Sequence, residues 1–419
     1  MVMFAASCGE PRPAKQAAPA GAMAAPSAAL AVAPAAPATR SYEHAIELVE
    51  SFPEGAFADD PELPNTGDVW LEMISGARRT VALGQLYVSN APAGGRLEPV
   101  LSALGAAVAR GVEVRFLVDA TFAAKYPADL ERLERMGIEL RRLDAKTTMG
   151  GVHHAKYLIV DGSDAYLGSA NFDWRSLEHI HELGLRLRSA ELGGQLASVF
   201  ERDWVAAAGE RTVIEPLGAP WSRRFVPVVL DEARVELVAS PKGHLPDEGA
   251  WDLERLVLAI DAAKRELLLQ LLSYDARFYD GAAFTRLDDA LVRAHSRGVR
   301  VRVLLSSWQT AKSKIHAAQS LARRGLDVRI VTVPDAAAGF IPFARVVHAK
   351  YLVIDRAIAW VGTSNFSGDY FTKSRNVGAI VTSSRIAAKL GATFDALAKG
   401  PLATPVDPAA SYPAPRIGE

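Results

Sequence analysis

From residue 41 onward, apolar and polar positions fall into a repeating order of strand, helix, strand, helix and strand. Thr80–Tyr87 and Glu266–Tyr274 read as strands. Leu97–Arg110 and Phe284–Arg297 carry apolar residues at helical spacing and end at Gly111 and Gly298, which suit helix termini. Val112–Val118 and Val299–Leu305 alternate or run apolar, as strands covered by helices do. The pattern predicts an α/β fold with a mixed sheet in each half.

The same words also recur. Arg110-Gly-Val-Glu-Val-Arg-Phe-Leu117 returns as Arg297-Gly-Val-Arg-Val-Arg-Val-Leu304, and Gly137-Ile-Glu-Leu-Arg-Arg-Leu143 as Gly325-Leu-Asp-Val-Arg-Ile-Val331. His154-Ala-Lys-Tyr-Leu-Ile-Val-Asp161 returns as His348-Ala-Lys-Tyr-Leu-Val-Ile-Asp355. The offsets are 187, 188 and 194 residues, so an insertion of about six residues precedes His348. A duplicated domain is expected, with halves at 41–218 and 219–405 related by a pseudo-twofold axis, and a tail at 406–419.

Composition adds boundaries. The chain has 419 residues, 49% hydrophobic and 23% charged, with a net charge of −1. This is the balance of a protein with a large core, not of a disordered chain. No apolar run approaches the ~20 residues of a spanning helix. Residues 1–40 differ, with 16 Ala and 6 Pro, and read as a tether. Without them the core holds 44 basic and 47 acidic residues, so it has no overall electrostatic footprint for nucleic acid. The lone cysteine, Cys8, excludes internal disulfides. Its small-residue context resembles the end of a bacterial lipoprotein signal, so export with a lipidated Cys8 is expected; a cytoplasmic location is the alternative.

The candidate chemistry lies in the two HxKxxxxD segments. On a strand, His154 and Lys156 share one face about 6–7 Å apart, a site for an anion, and His348 and Lys350 repeat it. Asp161 and Asp355 fall on the opposite face, as structural partners. Fourteen residues after each histidine come Gly168-Ser-Ala-Asn171 and Gly362-Thr-Ser-Asn365. There Ser169, Thr363, Asn171 and Asn365 could donate to phosphate oxygens. Twenty-eight residues after each histidine lie Glu182 and Asn376. Glu182 is expected behind His154 and Asn376 behind His348, each accepting from Nδ1–H and fixing the tautomer. A lone His-x-Lys is ordinary, but duplication gives no packing reason to keep three such motifs in order. No carboxylate cluster or His-x-x-x-His accompanies them, so neither metal nor cofactor is expected.

These segments resemble the HKD motifs of the phospholipase D superfamily. Leu167–Leu177, Glu182-Leu-Gly184, Val361–Phe371, Leu48–Gly55 and Ile341–Arg345 are similar to the animal lysosomal phospholipase-D-like exonucleases and their poxvirus envelope relatives. The resemblance implies phosphodiester cleavage in two steps through a covalent phosphohistidine. Lys156, Lys350, Asn171 and Asn365 would hold the non-bridging oxygens. His154 is expected as nucleophile and His348 as acid, with the carboxylate of Glu182 stabilising the phosphorylated ring. The substrate is expected to be a phospholipid, with single-stranded nucleic acid as the alternative and a silent binding protein as a third. Lys312, Lys314, Arg345, Lys373 and Arg375 could form a local basic groove, and Trp174, Tyr370 and Phe371 could stack a base. The loop Pro334–Phe343 would suit a lipid contact or internal packing. With both half-sites in one chain, a monomer is expected.

Overall fold

Two mixed sheets, each with a parallel block and an antiparallel block, build the scaffold in the computed structural model, which describes residues 44–56, 60–91, 94–208 and 223–418. Cys8 and the rest of the Ala/Pro-rich segment lie outside the described residues. The first sheet runs, in spatial order, Ile46–Ser51, Ile180–Arg188, Asp164–Gly168, Tyr157–Val160, Thr80–Gln85, Glu113–Asp119 and Glu139–Leu143. The second repeats that order as Ala233–Ser240, Asn376–Thr382, Ile358–Gly362, Tyr351–Ile354, Glu266–Leu271, Arg300–Ser306 and Asp327–Val331, with Val228–Leu230 and Ala403–Pro405 at its edges. Thr80–Gln85, Glu113–Asp119 and Glu139–Leu143 pair parallel, and the remaining strands of that sheet antiparallel. The mixed α/β sandwich expected from the pattern is therefore present in both halves.

Local sequence explains the boundaries. The helix Leu97–Ala109 buries Leu97, Val100, Leu101, Leu104 and Ala107, one stripe at helical spacing. It stops because Gly111 turns left-handed at φ +84° and Val112 N–H returns to the Ala107 carbonyl. The repeat unit gives Arg286–Ser296, two residues shorter at its start than the periodicity suggests, because Phe284 N–H is taken by the Ala276 carbonyl instead.

The two sheets share one core. The helices Ala190–Ala207 and Ser384–Lys399 supply Leu192, Leu196, Phe200, Ile386, Leu390 and Phe394 to a cluster that also holds Leu117, Tyr157 and Leu185 of the first sheet and Leu268, Tyr351 and Val353 of the second. Burying side chains of this size contributes about 1.5–3 kcal/mol each, so the interface between halves is as apolar as a domain interior. Residues 406–418 continue as an ordered strap: Gln319 donates to the Asp407 and Ala410 carbonyls, and Phe343 N–H to that of Ile417.

Candidate active site between the two halves

His154 and His348 stand just ahead of the strands Tyr157–Val160 and Tyr351–Ile354, not on them as the spacing suggests. What fixes each is a short strand contact with the opposite half. Val346 and Val347 pair parallel with Ile180 and His181, and His348 N–H donates to the His181 carbonyl at 2.8 Å. In mirror image, His153 bridges Arg375, and His154 N–H donates to the Arg375 carbonyl at 2.9 Å.

This crossing overturns the expected pairing of the rings. Glu182 follows His181, so its carboxylate accepts from Nδ1 of His348, at 2.9 and 2.8 Å. Asn376 follows Arg375, so its Oδ1 accepts from Nδ1 of His154 at 3.0 Å. Each histidine is served by the other half, opposite to the arrangement read from the sequence. The 28-residue spacing is the same in both copies and carries no information about which copy a partner serves.

The tautomers follow from the neighbours. Asn376 Nδ2 donates to the Tyr370 carbonyl at 2.7 Å, and its Oδ1 accepts from Thr363 Oγ1 at 2.8 Å. With the amide nitrogen committed, Oδ1 faces His154, so Nδ1 carries the proton and Nε2 keeps its lone pair. Ser176 Oγ donates to Glu182 at 3.0 Å, while Ser169 Oγ exchanges hydrogen bonds with the Leu183 backbone. Ser169 and Thr363, expected to donate to phosphate, are thus buried supports behind the rings, and Asn376 is buried with them. Ser176 was not legible in the repeat, because the matching position holds Tyr370.

Lys156 and Lys350 have no exposed surface, whereas His154 and His348 are each 8% exposed. Lys156 Nζ donates to the His154 carbonyl at 2.6 Å and Lys350 Nζ to the His348 carbonyl at 2.5 Å. Each ammonium has three N–H bonds, so two remain for an anion above it. Burial, opposed by Glu182, brings Lys350 down to about 7. Burial and the nearby Lys350 hold Lys156 well below the usual lysine range. An anion placed between them reverses both effects.

The two rings differ electrostatically. Burial and both ammonium groups push His154 well below its ordinary value. His348 is also lowered by burial, but the Glu182 carboxylate opposes this directly. Glu182 itself, raised by burial, is pulled below the ordinary range by His348 and Lys350.

Asn171 and Asn365 flank the rings. Asn365 Oδ1 accepts from Ser273 N–H at 3.2 Å and its Nδ2 donates to the Tyr370 hydroxyl at 3.0 Å. Asn171 Oδ1 is buried without a partner among the described residues. The glycines that precede them allow close approach. Gly168 pairs with Gly184, and a Cβ on Gly168 would lie 2.6 Å from the Gly184 Cα and 2.7 Å from the Tyr166 hydroxyl. Asp161 and Asp355 bond to the backbone instead. Asp161, at φ +51°, accepts from the N–H groups of Arg78, Arg79 and Thr80, and Asp355 from those of Lys264, Arg265 and Glu266.

The basic groove that Lys312, Lys314, Arg345, Lys373 and Arg375 could have formed is mostly absent. Arg375 is fully buried on Asp203, Arg345 is buried on the Pro334 and Glu54 carbonyls, and Lys373 pairs with Asp369 at 2.9 Å. Phe371 is core, and Trp174 packs on His179. Tyr370 is in the site, its ring edge-on to His154 at 5.0 Å between centroids. Among the described residues no three His, Cys, Asp or Glu side chains are grouped to hold a metal.

Comparison with known proteins identifies the family. The family model described as "Cardiolipin synthase, PLD-like domain" matches residues 70–204 and 256–398, one match per half. The 5'-3' exonuclease PLD3 of Homo sapiens is 32% identical over 372 residues, covering 80% of this chain and 74% of that protein. Phospholipase D Z of Dictyostelium discoideum is 29% identical over 374 residues, covering 82% and 86%. The phosphatidylserine synthase of Haemophilus influenzae Rd KW20 shares the fold, with a TM-score of 0.59 at 11% identity over 81% of this chain and 85% of that one. The chain belongs to the phospholipase D superfamily and is one of its phosphodiesterases.

Proposed function

We propose that the protein hydrolyses single-stranded nucleic acid from its 5′ end through a phosphohistidine on His154. The observation that carries the mechanism is the crossed, unequal support of the two rings. His154 is held neutral with Nε2 free, which suits attack on phosphorus. His348 is backed by a carboxylate, which favours the protonated ring that a general acid needs. The roles are those expected from the sequence, but for the opposite electrostatic reason, since Glu182 serves the acid and not the nucleophile.

In the first step His154 Nε2 bonds to phosphorus while the bond to the leaving oxygen breaks and His348 gives that oxygen its proton. In the second, neutral His348 takes a proton from water. The water oxygen bonds to phosphorus, the P–N bond breaks and both rings return to their starting states. Lys156, Lys350, Asn171 and Asn365 hold the non-bridging oxygens, and the lysines oppose the charge that builds on them.

For the substrate, support comes from the exonuclease relatives and from Tyr370, which offers an aromatic wall against His154. A phospholipid is the second reading. It is favoured by the phospholipase relative and by Phe343, 51% exposed on the loop that leads to His348. Incubation in EDTA with 5′-hydroxyl single-stranded DNA and, separately, phosphatidylcholine vesicles tests both. Release of nucleotides with EDTA present is expected; cleavage of vesicles alone would overturn the nucleic-acid reading. Export as a Cys8-anchored lipoprotein and action as a monomer are further parts of the proposal. Fatty-acid labelling that is lost in Cys8→Ala tests the first, and light scattering the second. No helix among the described residues is long and apolar enough to cross a membrane.

A further inference from the structure

A pocket of about 290 Å³ opens beside the site, on the second half. Its lining includes Tyr279, Tyr370, Ser367, Phe278, Arg277 and Lys314. Tyr370 joins it to the chemistry, since that ring meets His154 and its hydroxyl accepts from Asn365. Anything bound there lies one side chain away from the scissile phosphate.

The polar groups of the pocket are unequally engaged. Arg277 Nε is paired with Asp275 at 3.2 Å. Lys314 is half-buried and, among the described residues, makes no ion pair within contact distance; burial lowers its pKa and the nearby Asp275 carboxylate, bonded to Arg277, opposes this. Ser367 is buried beside Tyr279, which its hydroxyl faces. A partly desolvated ammonium outside any ion pair favours an anion with several acceptor oxygens. Tyr279, 73% exposed, stands edge-on to Tyr370 with centroids 6.3 Å apart, so the same pocket offers an aromatic wall to a planar group. Cation, hydroxyl and aromatic wall together match one nucleotide unit with its own phosphate.

We propose that this pocket is a second phosphate subsite, in which Lys314 binds the linkage next to the one being cleaved. The proposal rests on the nucleic-acid reading above and names its determinant: successive phosphates on one chain. A phospholipid with a single phosphodiester leaves Lys314 without a ligand, so the subsite would separate the two substrate classes.

The test uses the full chain and two single-stranded 5′-hydroxyl oligothymidylates. One is all-phosphate; the other carries a neutral methylphosphonate between its second and third nucleotides. Bis(p-nitrophenyl) phosphate reports the chemical centre alone. The wild type is expected to prefer the charged linkage by about tenfold in kcat/KM, the low end for a hydrogen bond to a charged group. Lys314→Met should reduce that ratio to near one, and Lys314→Arg should keep it. A wild-type ratio near one, or a ratio that survives in Lys314→Met, overturns the subsite while leaving nucleic-acid cleavage intact. Turnover of bis(p-nitrophenyl) phosphate with neither oligomer cleaved overturns the nucleic-acid reading and the subsite with it.

Discussion

Asp203 and Arg375 form an ion pair across the two halves in which Arg375 is 0% exposed and the contacts are 2.6 and 2.8 Å. Two further guanidinium bonds go to the Ser240 and His244 carbonyls, both at 2.6 Å. The pair lies directly behind the site, since the Arg375 carbonyl holds His154 N–H and the next residue holds its ring. Removing one partner leaves a buried charge alone, at a cost of about 3–5 kcal/mol. Arg375→Met should therefore be destabilised by about that amount in chemical denaturation. The double variant Asp203→Leu with Arg375→Met should recover much of the loss. A double variant no more stable than the single one would contradict this account.

The two rings should separate in a trapping experiment. With labelled substrate, His348→Ala should accumulate acid-labile phosphohistidine, because the second step lacks its base. His154→Ala should accumulate none. Label on His348 in the His154→Ala variant would reverse the assignment.

The pH profile follows from the directions of the shifts. The acid form of His348 is lost as pH rises through a value held below the ordinary histidine range, and the Lys350 ammonium is lost through about 7. Both losses fall on the alkaline side, so kcat/KM should decline there and the optimum should be acidic. Glu182 raises both groups, so Glu182→Gln should move the alkaline limb to lower pH. A limb that stays in place would remove Glu182 from the acid's support.

Asp161 is expected to matter for stability alone. Its carboxylate satisfies three backbone N–H groups where the strand Thr80–Gln85 begins. Asp161→Ala should cost about 1–2 kcal/mol in denaturant unfolding, as loss of a cap does. The value of kcat measured below the melting range should be unaltered. A large fall in kcat would place Asp161 in the chemistry.

Much of the fold was legible because local signals agreed with the tertiary structure. Apolar spacing, the Gly111 and Gly298 stops and the exact recurrence of His-Ala-Lys-Tyr-Leu identified elements that packing then kept. The identities of His154, His348, Lys156 and Lys350 were legible for the same reason. What stayed hidden depends on contacts between the copies. Pairing of Val346–Val347 with Ile180–His181 gave Glu182 to His348, and no spacing within one half encodes it. Charge was equally deceptive: Arg345 and Arg375 look like a basic groove in sequence and are buried tethers in space.

The exchange of supports between the copies has a bearing on how such a site could arise. Two identical chains meeting about a twofold axis would give each imidazole the same helper from its sister, because one codon would write both. Acid and nucleophile would then be interchangeable. Joining the copies in one gene frees the two codons, and glutamate at one with asparagine at the other becomes attainable. In this chain Glu182 and Asn376 make use of that freedom, and the two imidazoles rest on unlike partners.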